Sequence, residues 1–166
     1  MYYKTNYSSP IGLITLASDG EKLVGLWFEG QKYYGGTISE AMTEKSDLSL
    51  FNTTKKWLDR YFNGEKPAVS ELPLAPIGGD FRQEVWRILC EIPYGEVATY
   101  GDIAKKMAAK LNKKSMSSQA VGGAVGHNPI SIIIPCHRVV GAKGSLTGYA
   151  GGVEKKAKLL ELEGAQ

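Results

Sequence analysis

The chain has 166 residues, a formal net charge of +3 and 43% hydrophobic residues, which fits one or two small domains with real cores and excludes a disulfide-stapled miniature. Its longest apolar run, Ile130 to Ile134 with Ser131 inside it, falls far short of the about 20 residues that cross a bilayer. The opening Met1-Tyr2-Tyr3-Lys4-Thr5-Asn6 lacks a basic segment followed by an apolar one, so no secretory signal is read and a cytoplasmic protein without a membrane segment is expected.

The first third reads as strands in hairpins, Tyr2 to Tyr7, Leu13 to Ala17 and Leu23 to Phe28, with Ser18-Asp19-Gly20 as the turn between the last two. Asp47 is expected to cap a helix in which Leu50, Phe51, Thr54, Trp57, Leu58 and Tyr61 recur at helical spacing, with Asn63-Gly64 as its stop. The stretch Leu72-Pro73-Leu74-Ala75-Pro76-Ile77-Gly78-Gly79 has two prolines, two glycines and no periodicity, and reads as an interdomain connection. A boundary follows, with domains at 1–79 and 80–166.

Beyond it, Asp80 with Gln83 three residues on is read as the cap of a second helix, whose apolar face carries Phe81, Val85, Leu89 and Ile92 and which Pro93-Tyr94-Gly95 ends. Thr99 with Asp102 predicts the start of a third, through Ile103, Ala104, Met107, Ala108 and Leu111. After the polar turn Asn112 to Ser115, Ser117 or a neighbour opens a helix of small residues, Ala120, Val121, Gly122, Gly123, Ala124 and Val125. Two short helices on a tight polar connection fit a helix-turn-helix, and also any helical hairpin. The small residues have two explanations, close approach to a nucleic-acid backbone or close helix–helix packing.

Charge is uneven along the chain. Residues 1–80 hold 8 Lys/Arg against 10 Asp/Glu and residues 81–166 hold 12 against 7, so the halves carry −2 and +5. A basic second half is what a polyanion partner calls for, and ordinary surface variation produces it as well.

The chemistry gathers in Asn128-Pro129-Ile130-Ser131-Ile132-Ile133-Ile134-Pro135-Cys136-His137-Arg138-Val139. A buried isoleucine run that stops at Pro135 would present the thiol at the end of a rigid apolar element. Only a thiolate is nucleophilic, and the cationic or basic neighbours His137 and Arg138 are expected to lower the Cys136 pKa. On an extended backbone consecutive side chains point apart, so His137 is expected to reach the sulfur through water. As a base the imidazole needs an acceptor behind it, and the last helix, Val153 to Glu163, offers Glu154, Glu161 and Glu163 with spacing choosing none of them. Cys90 reads as a small buried hydrophobe and His127 as a surface residue. With the cysteines Cys90 and Cys136 and the histidines His127 and His137 showing no paired ligand spacing, neither a metal nor a cofactor is expected.

These motifs, together with Gly148-Tyr149-Ala150-Gly151-Gly152 and Leu159-Leu160-Glu161-Leu162-Glu163-Gly164, resemble the O6-alkylguanine-DNA alkyltransferases of bacterial type. The likeness covers residues 80–164, and Ser9-Pro10-Ile11-Gly12 to Leu26-Trp27-Phe28 adds to it less diagnostically. The resemblance implies an α/β fold, with a ribonuclease-H-like N-terminal α/β domain followed by a mostly helical winged helix-turn-helix domain. It implies irreversible, stoichiometric transfer of an alkyl group from O6-alkylguanine in double-stranded DNA to Cys136 by a monomer, after the nucleotide is flipped out of the duplex.

By the same resemblance, Cys136 is the acceptor, His137 the water-linked base and Glu163 the carboxylate that orients it. Tyr100 helps expel and hydrogen-bond the base, and Asn128 ties the turns around the site. Gln119, Ala120, Gly122, Gly123, Arg138, Tyr149 and Ala150 are implied to face DNA or the flipped base. The chain departs from the family pattern twice. Gln119 stands where many members have an arginine that fills the gap left by the flipped base, which implies weaker affinity or slower flipping, and Ala150 stands where some have a serine, which implies room for bulkier alkyl groups. The competing readings are an alkyltransferase-like lesion-binding protein, a class that lacks the acceptor cysteine present here, and a cysteine hydrolase using Cys136 with His137 or His127, for which no oxyanion motif is recognisable.

Overall fold

The computed structural model describes residues 1–38 and 40–165. They divide into two compact units: Met1–Ile77 with Pro129–Ser131, and Gly78–Asn128 with the residues from Ile132 on. No helix among the described residues is long and apolar enough to cross a membrane.

In the first unit, β1 (Tyr2–Ser9), β2 (Gly12–Ser18) and β3 (Leu23–Phe28) form the antiparallel meander that the hairpin pattern predicts. The sheet order is β3-β2-β1-β4. Ser18 and Asp19 close the β2–β3 turn: the Ser18 hydroxyl donates to the Lys22 carbonyl, and the Asp19 carboxylate accepts from the Glu21 and Lys22 N–H groups. β4 (Met42–Glu44) lies parallel to β1 and has no counterpart in the sequence reading, since three residues, one half-buried and two exposed, carry no alternation to detect.

α1 (Ser49–Phe62) buries the six residues that the helical spacing selects, Leu50, Phe51, Thr54, Trp57, Leu58 and Tyr61. Its cap is Leu48 rather than Asp47, and Leu48 offers no side-chain hydrogen bond; the Asp47 carboxylate pairs with Lys45 at 3.3 Å instead. Every residue of β3 is buried, because segments distant in sequence dock on its free edge. The Leu23 N–H donates to the Pro73 carbonyl and the Ala75 N–H to the Leu23 carbonyl, so the proline-rich connection is fastened rather than loose. Further along, the Leu26 N–H donates to the Pro129 carbonyl at 2.8 Å and the Ser131 N–H to the Leu26 carbonyl at 3.1 Å. This edge pairing takes Pro129–Ser131 out of the second half of the chain and into the first unit, which local composition does not encode.

The second unit contains α2 (Asp80–Cys90), β5 (Ala98–Thr99), α3 (Tyr100–Lys110), α4 (Ser118–Gly126), β6 (Val139–Val140) and α5 (Val153–Leu162). α2 starts one residue earlier than expected: Gly79 is the cap, Asp80 lies in the first turn, and Gln83 reaches back to the Gly78 carbonyl. Thr99 and Asp102 form the reciprocal capping box, and Ser117 accepts the Ala120 N–H at the start of α4. The core is Val85, Trp86, Ile88 and Leu89 of α2 with Ile103 and Met107 of α3 and Val121 of α4. The buried Trp86 indole N–H finds its partner in the Ala124 carbonyl at 2.9 Å, tying α2 to α4. β5 pairs with β6 in parallel, so the start of α3 is joined to the residues just after Cys136.

Candidate active site

The approach to Cys136 is compact rather than extended. Ser131 to Ile133 make a turn, Ile132 takes a positive φ of 69°, and Cys136–Arg138 is a single 3₁₀ turn leading into β6. A β-branched residue seldom adopts such a backbone, and the strain persists because its surroundings fix it; here Ile132, Ile133 and Ile134 are all buried. Asn128, 4% exposed, donates through Nδ2 to the Ile134 carbonyl at 2.8 Å, and its side chain also hydrogen-bonds the Cys136 sulfur. Asn128 thus fixes both the turn and the thiol.

Of the three carboxylates open to the sequence reading, Glu163 is the one that meets the imidazole. Its Oε2 lies 2.7 Å from His137 Nε2, while Arg138 donates through Nε to Oε1 at 2.7 Å and through Nη2 to Oε2 at 3.1 Å. His137 is fully buried and Glu163 is 5% exposed. Burial, opposed by Glu163 and aided by the charges of Arg138 and Lys156, pulls the His137 pKa below its ordinary value. The imidazole is therefore neutral. With Nε2 donating to the carboxylate, Nδ1 carries the lone pair, and that buried atom has no hydrogen-bond partner among the described residues.

Arg138 corrects two expectations. Its remaining donor, Nη1, goes to the Ile92 carbonyl at 2.7 Å and its side chain is 10% exposed, so the guanidinium is engaged inside the unit rather than presented to DNA. Since its charge is matched by Glu163, it also does not lower the thiol pKa. Burial pushes Cys136 up to about 11, outweighing the Asn128 hydrogen bond and the charge of a different cation, Lys156.

Lys156 is the residue near the thiol that the sequence reading missed. It is fully buried on α5, and its ammonium donates to the carbonyls of Thr147 at 2.9 Å and Gly148 at 3.2 Å. Burial lowers its pKa to about 8, and the nearby Cys136 works against that shift. The signal was available: Lys156 precedes Leu159 by three residues and Leu160 by four, the spacing of one helix face, and all three are buried. The Thr147 carbonyl also accepts from the Tyr100 hydroxyl at 3.3 Å. Tyr100 has its pKa raised, by burial first and then by proximity to Cys136, so its hydroxyl keeps its proton. Asn128, Tyr100 and Lys156 thus converge on the Cys136 thiol.

The small residues of α4 divide between the two explanations. Val121 and Ala124 are buried and serve packing. Gly123 is exposed, and a Cβ built there meets nothing within 4 Å; at Gly122 it meets only the Tyr100 ring at 3.9 Å. Internal packing does not require glycine at either position. Gln119 and Ala120 are exposed on the first turn of α4, so this helix offers a flat surface without charged side chains. Tyr149 and Ala150 are half-buried in the loop before α5, where Gly152 caps the helix at a φ of 101°.

Two lesser expectations resolve separately. Cys90 is exposed at the last position of α2, not buried, because the helix ends there and leaves one side of it uncovered. His127 caps α4 with Nδ1 2.7 Å from the Gly123 carbonyl.

Two sequence families match the chain: 6-O-methylguanine DNA methyltransferase, ribonuclease-like domain, over residues 1–76, and 6-O-methylguanine DNA methyltransferase, DNA binding domain, over residues 80–165. A methylated-DNA–protein-cysteine methyltransferase of Methanosarcina acetivorans is 45% identical over 166 residues, covering 99% of each chain. One of Haemophilus influenzae is 44% identical over 161 residues, covering 97% of this chain and 86% of that protein. Among solved structures, Mycobacterium tuberculosis OGT in complex with DNA superposes with a TM-score of 0.82 at 42% identity, over 99% of this chain and 92% of that one. This chain, with its cysteine, imidazole and carboxylate assembled in the second of the two matched domains, belongs to the 6-O-methylguanine DNA methyltransferase family.

Proposed function

We propose that the chain repairs double-stranded DNA by moving an alkyl group from O6 of a damaged guanine onto Cys136 Sγ, irreversibly and once per molecule. The observation that carries the reading is the buried histidine–carboxylate pair next in sequence to a buried cysteine: His137 Nε2 is fixed by Glu163, and its Nδ1 has no hydrogen-bond partner among the described residues. With a thiol pKa of about 11, the resting sulfur is protonated. It becomes a nucleophile when its proton passes, by way of a water, to His137 Nδ1. The S–C bond forms as the C–O6 bond breaks, the electron pair stays with guanine, and the guanine ends protonated on its ring. Tyr100, whose pKa is raised, hydrogen-bonds the departing base and can pass its proton to a ring nitrogen; it regains one from solvent as the imidazolium releases the proton taken from the thiol, so the net products are the thioether and neutral guanine. The product is a thioether that no neighbouring base hydrolyses, hence one lesion per polypeptide.

Inside a duplex the alkylated oxygen is out of reach, and flipping costs a few kcal/mol, least where pairing is already weak. In this reading α4 approaches the DNA with Ala120, Gly122 and Gly123, Gln119 plugs the vacated stack without bringing charge, and Tyr149 and Ala150 wall the base pocket. The protein works as a monomer without a cofactor, and its two unpaired cysteines suit the reducing cytoplasm.

Mass spectrometry after incubation with a duplex carrying O6-methylguanine tests the chemistry. A single methyl on the Cys136 peptide is expected, and none in Cys136→Ala; many lesions cleared per polypeptide would overturn the proposal. Gly123→Leu tests the surface. With open space at the Cβ and a better helix former, folding stability is expected to stay level or rise by up to about 1 kcal/mol, while affinity for duplex drops at least tenfold. Unchanged affinity would remove α4 from the interface.

A further inference from the structure

The helix assigned to the DNA surface brings no charged side chain of its own: α4 is Ser-Gln-Ala-Val-Gly-Gly-Ala-Val-Gly. Affinity for a duplex is dominated by neutralised phosphates, so the charge must come from elsewhere in the same unit. A concavity of about 520 Å³ lies between α3 and the start of α4, lined by Lys105, Lys113 and Lys114, with Gly101, Ala104 and Ala108 among the small residues that form its floor.

The fold builds this grouping. Asn112 takes the left-handed conformation at a φ of 54°, and the Lys113 N–H returns to the Ala108 carbonyl at 2.8 Å, which turns the chain back along α3. Lys113 and Lys114 thereby join Lys105, eight residues earlier in sequence, on one concave surface. All three are exposed, and none forms an ion pair within 4.0 Å among the described residues, whereas Lys110 on the same helix is paired with Glu84. Asp102, which feels the charges of Lys105 and Lys106, accepts the Thr99 N–H in the capping box. Ser118, at the first turn of α4, completes the rim. The Ser117 hydroxyl takes the Ala120 N–H, and that turn has no acidic residue to offset the positive end of the helix dipole, which favours an anion there.

We propose that this lysine-rimmed concavity is a phosphodiester-binding site that seats the backbone of the lesion-bearing duplex and supplies the charge the recognition surface lacks. The small residues Gly101, Ala104 and Ala108 keep the concavity open beside the three lysines, and the turn at Asn112 sets where Lys113 and Lys114 stand along it. The inference rests on the reading that the partner is duplex DNA.

Its test is the salt dependence of binding to a duplex carrying O6-methylguanine, for the wild type and for Lys105→Gln, Lys113→Gln and Lys114→Gln combined. Each lysine on a phosphate contributes about 0.9 to the slope of log affinity against log salt. The triple variant is therefore expected to lose about 2.7 of that slope and at least tenfold in affinity at low salt. A control with the same charge change, Lys22→Gln, Lys56→Gln and Lys66→Gln, is expected to keep the wild-type slope. Transfer from free O6-benzylguanine, which needs no duplex, is expected to be unchanged in both variants. A triple variant that keeps the wild-type slope, or a control that loses as much, overturns the phosphate site while transfer from the free base still stands. Absence of transfer from either substrate in the wild type would instead overturn the repair reading itself.

Discussion

Glu163→Gln is expected to cost about 3–5 kcal/mol of folding stability and to slow alkyl transfer by roughly 10²- to 10⁴-fold. The stability effect follows from burial: Glu163 is the only carboxylate in contact with the Arg138 guanidinium among the described residues, and removing one partner of a buried pair leaves an uncompensated charge. The rate effect follows from the tautomer. A glutamine amide turned to donate to His137 Nε2 would force the proton onto Nδ1, the atom that accepts the thiol proton in the proposed relay. Urea denaturation and single-turnover transfer at one pH measure the two effects separately. Nitrogen NMR of the imidazole is expected to show the proton on Nε2 in the wild type and on Nδ1 in the variant. A variant with full transfer rate would remove Glu163 from the relay.

Lys156→Met is expected to slow transfer at least tenfold while leaving stability at neutral pH little changed, a combination that few buried substitutions produce. The substitution takes an ammonium out of the interior, which favours the variant, but leaves the Thr147 and Gly148 carbonyls without their donor, which opposes it. Cys136 loses the cation that favours its thiolate, so its pKa moves up from about 11 and the rate falls. The pH dependence has a definite sign. The folded-state pKa of Lys156 is about 8 against 10.5 in an exposed chain. Between those values the unfolded chain binds more protons, and its contribution to wild-type stability rises as pH increases from about 8 to 10.5. Cys136 acts oppositely, its contribution being fully present below pH 9 and lost as pH approaches about 11. Denaturation midpoints across pH 8–10.5 are expected to rise relative to the variant's in the wild type alone. Parallel profiles for the two proteins would show that Lys156 is not held below its ordinary pKa.

The legible parts of the fold are those in which periodicity and chain-local chemistry agree. The six buried positions of α1, the Thr99 and Asp102 box and the Ser117 cap follow from spacing and cap chemistry. Asp47 and Asp80 look like caps in sequence, yet Leu48 and Gly79 hold those positions, because an acidic residue near a helix start does not reveal which backbone turn it precedes. At the site, Cys136 and His137 are visible as neighbours, and Glu163 becomes visible only through family resemblance, since Glu154 and Glu161 lie on the same helix and only the fold decides which carboxylate faces the imidazole. Arg138 beside a cysteine looks like an activating cation or a DNA contact; its bidentate bond to Glu163 exists only once α5 docks on the 3₁₀ turn.

The sequence by itself determined that one cysteine adjoins a histidine and an arginine, that the opening is strand-rich and the second half helical, and that positive charge gathers in that half, because composition and short-range spacing express these directly. Tertiary structure alone decided which cation lies near the sulfur, which carboxylate meets the imidazole, and that Pro129–Ser131 pairs with Leu26 rather than with its own neighbours. The reason is physical: proton affinities depend on burial and on charges a few ångströms away, and residues separated by tens of positions meet only when backbone pairing and core packing bring them together.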